Sequence, residues 1–496
     1  MSGRLLSGLE LGLTASFFRP VGFVLGLLIA AMGLAMLFPA AVDLARHSAD
    51  WHSFARAAAT SLFIGLLLLA VTAGTRIKLD IRQGFLLTSS SWFVISAIGA
   101  LPFVFSHQGL SVADAVFETV SGLTTTGSTV IVGLDRMPHG ILLWRGMLQW
   151  VGGVGIIVMA IAMLPYLGVG GMQLFRTESS DRSEKVFPRA GQIATATVVA
   201  YFVLSMTCAL LYYFSGMTGF EAVTHAMTTL ATGGYSTSDA SFAHFKNPVT
   251  HWIATFFMLC GGLPFVVYIQ MAFGRPLALW QDSQARRFVL GVATVIVVLT
   301  VWLCLTKHIP FADSLRYTAF SVVSIVTTTG FVLVDYGQWG SFAQVVFVVL
   351  TFVGACTGST AGGIKVLRLE LLFTFVRQQI LRLCHPRGIF PMRYRGRPIE
   401  PDIIRSALTF FFLYMMTFVV ITVALTALGL DIVTAATGTA TALGNVGPGL
   451  GEIIGPVGNF APLPDAAKWL LSLAMLLGRL EMMTLLVLLL PSFWKT

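Results

Sequence analysis

The sequence predicts an all-α integral membrane protein of about ten transmembrane helices, with four tandem repeats following two extra N-terminal spans. Three observations carry that expectation. Only 11% of the 496 residues are charged, 31 Lys and Arg against 22 Asp and Glu, where a soluble globular chain carries about 25%. Apolar residues make up 56%, the mean hydropathy is +0.83, and blocks such as 21–41 and 466–490 are long enough to cross about 30 Å of hydrocarbon. A short Thr/Gly motif also recurs four times along the chain. This composition excludes soluble, disordered, collagen-like and disulfide-scaffold classes.

Taken in order, apolar blocks place spans near 18–41, 56–75, 85–106, 139–168, 190–216, 248–274, 288–306, 340–384 (interrupted), 406–430 and 466–490. The first block has no cleavage pattern behind it and reads as a span, not a signal peptide. With the N-terminus inside, loops near 76–84, 174–190, 275–287 and 385–405 are cytoplasmic. Of the Lys and Arg residues, 22 then fall on the cytoplasmic side, 8 on the outer side and one, Arg479, inside the membrane, as the positive-inside rule requires. The net charge of +9 is thus explained by topology, without nucleic acid. Cys208, Cys260, Cys304, Cys356 and Cys384 lack zinc-like spacing and read as small apolar helix residues. The nine histidines form no HExxH.

The internal repeat is the most informative feature. Thr125-Thr126-Gly127, Thr232-Gly233-Gly234, Thr328-Thr329-Gly330 and Asn445-Val446-Gly447 align on glycines separated by 107, 96 and 117 residues. Each follows a moderately apolar stretch, too short to span, that begins near an acid: Asp114, Glu221, Asp313 or Asp431. The physical reading is span, re-entrant half-helix, extended loop, span, repeated around a single central pore. An acid suits the positive end of a half-helix, whose negative end then points into the membrane and favours a cation there. The loops supply carbonyl and hydroxyl oxygens without charge, able to replace the water shell of a weakly hydrated ion. Non-helical backbone at that depth requires burial in protein or a water-filled cavity. The boundaries are 1–84 for the two-span extension, then 85–185, 186–285, 286–398 and 399–496 for the repeats. A small-residue packing motif explains one such segment; it does not explain four at near-equal spacing.

These residues closely resemble the Trk/Ktr/HKT superfamily of potassium transporters, and within it the membrane subunit of the bacterial Trk uptake system. The resemblance covers essentially the whole chain. It rests on Trp144-Arg145, Gln149-Trp150-Val-Gly-Gly-Val-Gly155, Thr228–Thr237, Leu443–Gly449 and Leu477-Gly-Arg-Leu-Glu481. It implies a potassium filter at the four aligned segments, with Gly127, Gly234, Gly330 and Gly447 at the filter positions. A glycine at 127, where some sodium-carrying plant members have serine, implies potassium selectivity. It further implies a homodimer in the bacterial inner membrane among lipid. Regulation would come from a separate cytoplasmic nucleotide-binding ring, TrkA-like.

The eighth span breaks at Gly354-Ala-Cys-Thr-Gly-Ser-Thr-Ala-Gly-Gly363. A phosphate loop needs Gly-Lys-Ser/Thr, whereas Ile364 separates Gly363 from Lys365. The seven small or hydroxyl residues 354, 355 and 357–361 therefore read as a mobile intramembrane plug, and the resemblance implies a gate under the filter, with Gly354, Gly358, Ser359, Thr360, Gly362 and Gly363 as its candidate residues. Arg479, near the middle of the last expected span, is costly at that depth and a functional candidate by default. With Glu481 off its helix face, it is expected to face the pore or the gate loop as a barrier to cations. The cluster Arg387, Arg393, Arg395 and Arg397 is explained by topology or by partner docking. The resemblance implies K+ as the transported ion, and no organic cofactor or nucleic acid is expected. Carboxylates within the spans are too few to suggest a proton relay.

Two rival classes fit less well. A secondary transporter of another monovalent cation or small solute, Na+-coupled for example, calls for inverted repeats and paired broken helices; the chain has four parallel repeats. A membrane enzyme needs a nucleophile with its base or a metal set, and His225, the only central imidazole, lacks nearby ligands.

Overall fold

In hydrocarbon every backbone donor and acceptor needs an internal partner, so long apolar runs become helices. The computed structural model describes residues 2–74, 79–162, 190–394 and 397–494. Nearly all of the expected loop 174–190, residues 163–168 of the fourth expected span and Arg395 lie outside the described residues.

Seven described helices are long and apolar enough to cross a membrane: Phe17–Ala45, Trp51–Val71, Ile81–Phe105, His139–Ile157, Gly191–Phe214, Ser283–Lys307 and Pro401–Ala427. Two expected spans are not straight. The 248–274 block is two helices, Pro248–Gly262 and Phe265–Ala272, meeting at 97°. The 466–490 block is likewise Asp465–Arg479 followed by Met482–Leu489 at 108°. The first bend falls at Leu263-Pro264, where proline lacks the N–H to continue a helix. The second falls at Glu481, whose φ is +57°. Arg479 accordingly ends a helix and does not sit mid-span as expected. The interrupted block is Ser341–Phe352 and Val366–Cys384. A two-residue antiparallel ladder, Arg393–Tyr394 with Arg397–Pro398, is a small departure from an all-α chain.

The chain divides into two compact units. The first comprises Met1–Thr119, Met137–Trp144 and Met483–Thr496. In it Ser2–Ala35 lies against Trp51–Val71 so closely that a Cβ on Gly65 would come within 2.7 Å of the Ala30 nitrogen, the small-residue packing typical of membrane helices. The second comprises Val120–Arg136 and Arg145–Met482 and carries an aromatic core in which Phe242 and Phe331 have centroids 4.4 Å apart.

Four shorter helices, Val112–Leu123, Gly219–Leu230, Phe311–Val326 and Ile432–Gly444, have 12 to 16 residues. At 1.5 Å per residue they fall short of a bilayer. Their acids have local duties that the dipole argument did not foresee. Asp114 and Glu221 exchange hydrogen bonds with Ser111 and Thr218, the capping-box arrangement that satisfies orphan N–H groups. Asp313 pairs with Arg316 at 2.7 Å. Asp431 is itself the N-cap, accepting from Thr434 N at 3.0 Å. The Thr434 side chain first, and then this backbone hydrogen bond, hold the exposed Asp431 carboxyl below the usual carboxylate range.

Candidate functional site

Each short helix ends in the same way. The residue two positions before the aligned glycine is left-handed: Thr125 (φ +55°), Thr232 (+51°), Thr328 (+58°) and Asn445 (+53°). The glycines are left-handed too, Gly127 at +86°, Gly234 at +79°, Gly330 at +81° and Gly447 at +106°. Left-handed β-branched residues are true outliers, and three threonines at equivalent places mark strain of the kind that gathers at functional sites. The intervening Thr126, Gly233, Thr329 and Val446 donate their N–H groups back to Ser121, Thr228, Ser324 and Thr441 carbonyls at 2.8, 2.9, 2.8 and 3.0 Å.

The four segments meet in a closed cycle. A Cβ on Gly127 would overlap the Gly233 carbonyl oxygen, one on Gly234 that of Thr329, and one on Gly330 that of Val446. One on Gly447 would reach the Thr126 oxygen at 2.8 Å, returning to the start. Each glycine therefore packs on the carbonyl preceding the next segment's glycine, in chain order. All four glycines line one cleft of about 80 Å³, with Arg145 and Asp239 on its wall. Thr125, Thr126, Thr232, Thr328, Thr329, Asn445 and Val446 are fully buried. Thr125 Oγ1 and Asn445 Oδ1 are buried without a hydrogen-bond partner among the described residues.

The interrupted block lies against three of these segments. Thr328 Oγ1 accepts from Gly362 N at 2.7 Å, Thr232 Oγ1 reaches Thr360 Oγ1 at 3.1 Å, and a Cβ on Gly362 would overlap the Gly444 carbonyl. Its base is closed by Gly354 N to Ile364 O at 2.9 Å and by a parallel bridge between Val353 and Ile364. Carbonyls freed at the 97° bend are satisfied by it: Cys356 N donates to Gly262 O at 3.1 Å and Thr360 N to Gly261 O at 3.2 Å. In return Gly358 O accepts from Phe265 N at 3.0 Å. Gly358 (φ +80°) turns the chain in the middle of the loop and Gly363 (+66°) near its end, and Ser359 Oγ donates to Cys356 O at 2.6 Å. Two interruptions thus complete each other's backbone hydrogen bonds, which is what allows non-helical chain at this depth.

Arg479 is buried, and its Nη1 donates to Thr360 O at 2.9 Å; its Nε and Nη2 have no hydrogen-bond partner among the described residues. Two residues on, Glu481 pairs with Arg368 at 2.7 Å, and the Arg368 guanidinium stacks on Phe410 at 3.8 Å. This pair, and the parts played by Arg145 and Gln149, escaped the residue-by-residue reading. Arg145 donates to Ser236 O at 2.9 Å and Thr129 Oγ1 at 3.1 Å and lies over the Tyr235 ring at 4.0 Å. The available signal was the one that drew attention to Arg479, polar side chains inside an apolar helix. Arg387, Arg393 and Arg397 lie on the polypeptide around the short ladder, away from this cluster in sequence.

A multi-pass membrane protein whose buried interior gathers uncharged oxygens from four equivalent segments belongs to the class that moves ions. Comparison with known proteins names the family. Residues 51–495 match the TrkH family, described as a cation transport protein. The chain is 47% identical over 477 residues to the Trk system potassium uptake protein TrkI of Halomonas elongata, covering 96% of this chain and 97% of that protein. It is 38% identical over 485 residues to the Trk system potassium uptake protein TrkH of Escherichia coli K12, covering 96% and 99%. The crystal structure of the potassium transporter TrkH from Vibrio parahaemolyticus superposes with a TM-score of 0.89 at 36% identity, covering 96% and 100%. The chain belongs to the TrkH family of cation transport proteins, a family of transporters and not of enzymes.

Proposed function

We propose that the protein takes up K+ across the bacterial inner membrane through a selective filter formed by Thr125–Gly127, Thr232–Gly234, Thr328–Gly330 and Asn445–Gly447. The observation that carries this reading is the closed cycle of glycine-to-carbonyl contacts, which brings four uncharged oxygens together in chain order. Carbonyl oxygens replace the shell of a weakly hydrated cation without binding it too tightly to leave. The names of the relatives, Trk system potassium uptake proteins, support potassium as the ion. Uptake is driven by the membrane potential.

The loop Gly354–Gly363 acts as the gate, with Gly354, Gly358, Ser359, Thr360, Gly362 and Gly363 held against the filter segments. Arg479, anchored on Thr360 O, keeps a positive charge beneath the filter and opposes cation passage while the loop is in place. A cytoplasmic nucleotide-binding partner moves the loop, working on the helix Val366–Cys384 that leads directly out of it. The functional unit is a homodimer. Each of the four repeats, 85–185, 186–285, 286–398 and 399–496, contributes one filter segment, and residues 1–84 form an added pair of spans.

Expression in a bacterium without potassium uptake systems of its own tests the proposal. Together with a Trk regulatory subunit, the protein should restore growth at sub-millimolar potassium. No rescue despite confirmed membrane insertion and the supplied partner would refute it.

A further inference from the structure

Three of the four segments carry a side chain on the residue before the aligned glycine, namely Thr126, Thr329 and Val446; the second has Gly233. Behind the first, Thr126 Oγ1 hydrogen-bonds Thr124 Oγ1 at 2.7 Å and accepts from Asn445 Nδ2 at 3.0 Å. Behind the third, Thr329 Oγ1 hydrogen-bonds Thr327 Oγ1 at 2.8 Å. Gly233 does not have a left-handed backbone, so its conformation does not demand glycine. The space its side chain would take is filled instead. A Cβ there would overlap Cδ, Oε1 and Nε2 of Gln149, which are the nearest atoms to it. Gln149 belongs to the helix His139–Ala162 and is fully buried. Its Nε2 donates to Gly233 O, and its Oε1 accepts from Tyr235 N at 3.0 Å.

We propose that Gln149 is a positioning and specificity-determining residue, supplying from a neighbouring helix the side chain that Gly233 lacks. The inference rests on the filter reading above. One carboxamide uses its donor and its acceptor on the peptides either side of Gly234, so the second segment is held at two points. The oxygen it holds is the one on which Gly127 packs, and a shift there changes the spacing of the cycle. Selectivity depends on that spacing and on the field of each oxygen, and one of the four oxygens already shares a hydrogen bond with a buried amide.

A double-mutant cycle in proteoliposomes tests this. Uptake of Rb+ and Na+ is measured per inserted molecule for wild type, Gln149→Ala, Gly233→Thr and the double variant. Gln149→Ala should lower the Rb+/Na+ ratio by about tenfold, the scale of losing one buried hydrogen-bonding group. Gly233→Thr alone should also lower it, because its side chain meets Gln149. Combined, they should recover most of the ratio, since each removes the other's defect. A double variant no better than the worse single, or a wild-type ratio in Gln149→Ala, would overturn the inference. Gln149→Met guards against misfolding: it keeps the volume, so thermal stability should stay near wild type while the ratio falls, and an unchanged ratio would again overturn it. Wild-type protein that passes Na+ as readily as Rb+ would overturn the filter reading itself, and with it this inference.

Discussion

Gly127 combines two constraints that no other residue type meets together. Its φ of +86° is unfavourable for any residue with a Cβ, and that Cβ would overlap the Gly233 oxygen. Gly127→Ser should therefore push two segments apart and relax the preference for potassium over sodium, while membrane insertion stays intact. Ion flux ratios check this, and unchanged ratios would remove Gly127 from the filter. Arg479 makes the opposite kind of prediction. Two unit charges about 6 Å apart at an effective dielectric near 20 repel by roughly 2.8 kcal/mol, or about a hundredfold in crossing rate. Arg479→Ala should raise flux, most clearly without the activating partner, and Arg479→Lys should keep much of the block because the charge remains. If Arg479 only tethers Thr360 O, Ala instead lowers yield and flux together, and flux per folded molecule separates the outcomes. Arg479 was legible from the sequence as a costly charge. Its hold on Thr360 was not, because the loop that presents that carbonyl is 119 residues away.

At the scale of elements, the decisive features are interruptions. Hydropathy averages over a window and therefore read 248–274 and 466–490 as single spans, although Gly262-Leu-Pro264 already contained the break signal. The break at Glu481 had no local signal, since what holds it is an ion pair with Arg368, 113 residues away. That pair is largely buried, the side chains being 7% and 15% exposed. Removing one partner of a buried pair strands the other and costs about 3–5 kcal/mol, so Glu481→Ala should lower thermal stability strongly while double replacement by apolar residues recovers part of the loss. Thermal melts of the purified variants decide it. The short helices were legible from their length and their acids, but the acids' role as caps depends on Ser111 and Thr218 beside them. Asp431 gives a pH test. Its carboxyl is held below the ordinary range by Thr434, so its cap is fully present above the unfolded-chain pKa and is lost as pH falls through the lower folded value. Hydrogen-exchange protection of the Thr434 amide should fall with acid over that window and be low throughout in Asp431→Ala; protection that ignores acid would contradict the capping role.

At the scale of the whole molecule, the proposed function draws on the membrane potential as its energy source. At roughly 150 mV a monovalent cation gains about 3.5 kcal/mol on entry, enough for about a 350-fold gradient at 1.36 kcal/mol per tenfold. Uptake into proteoliposomes should therefore follow an imposed inside-negative potential and stop when it is dissipated. The class of the fold was legible because composition and block length reflect the solvent, and the four Thr/Gly segments because their glycines recur at similar separations. What no single segment could express is the cycle itself, since each contact in it joins residues far apart along the chain. The most direct measurement of that cycle as an ion site is anomalous diffraction from crystals grown in a rubidium salt. A rubidium peak is expected, enclosed by the carbonyl oxygens of Thr126, Gly233, Thr329 and Val446. Ordered rubidium elsewhere in the membrane interior, with none inside that cycle, would contradict it.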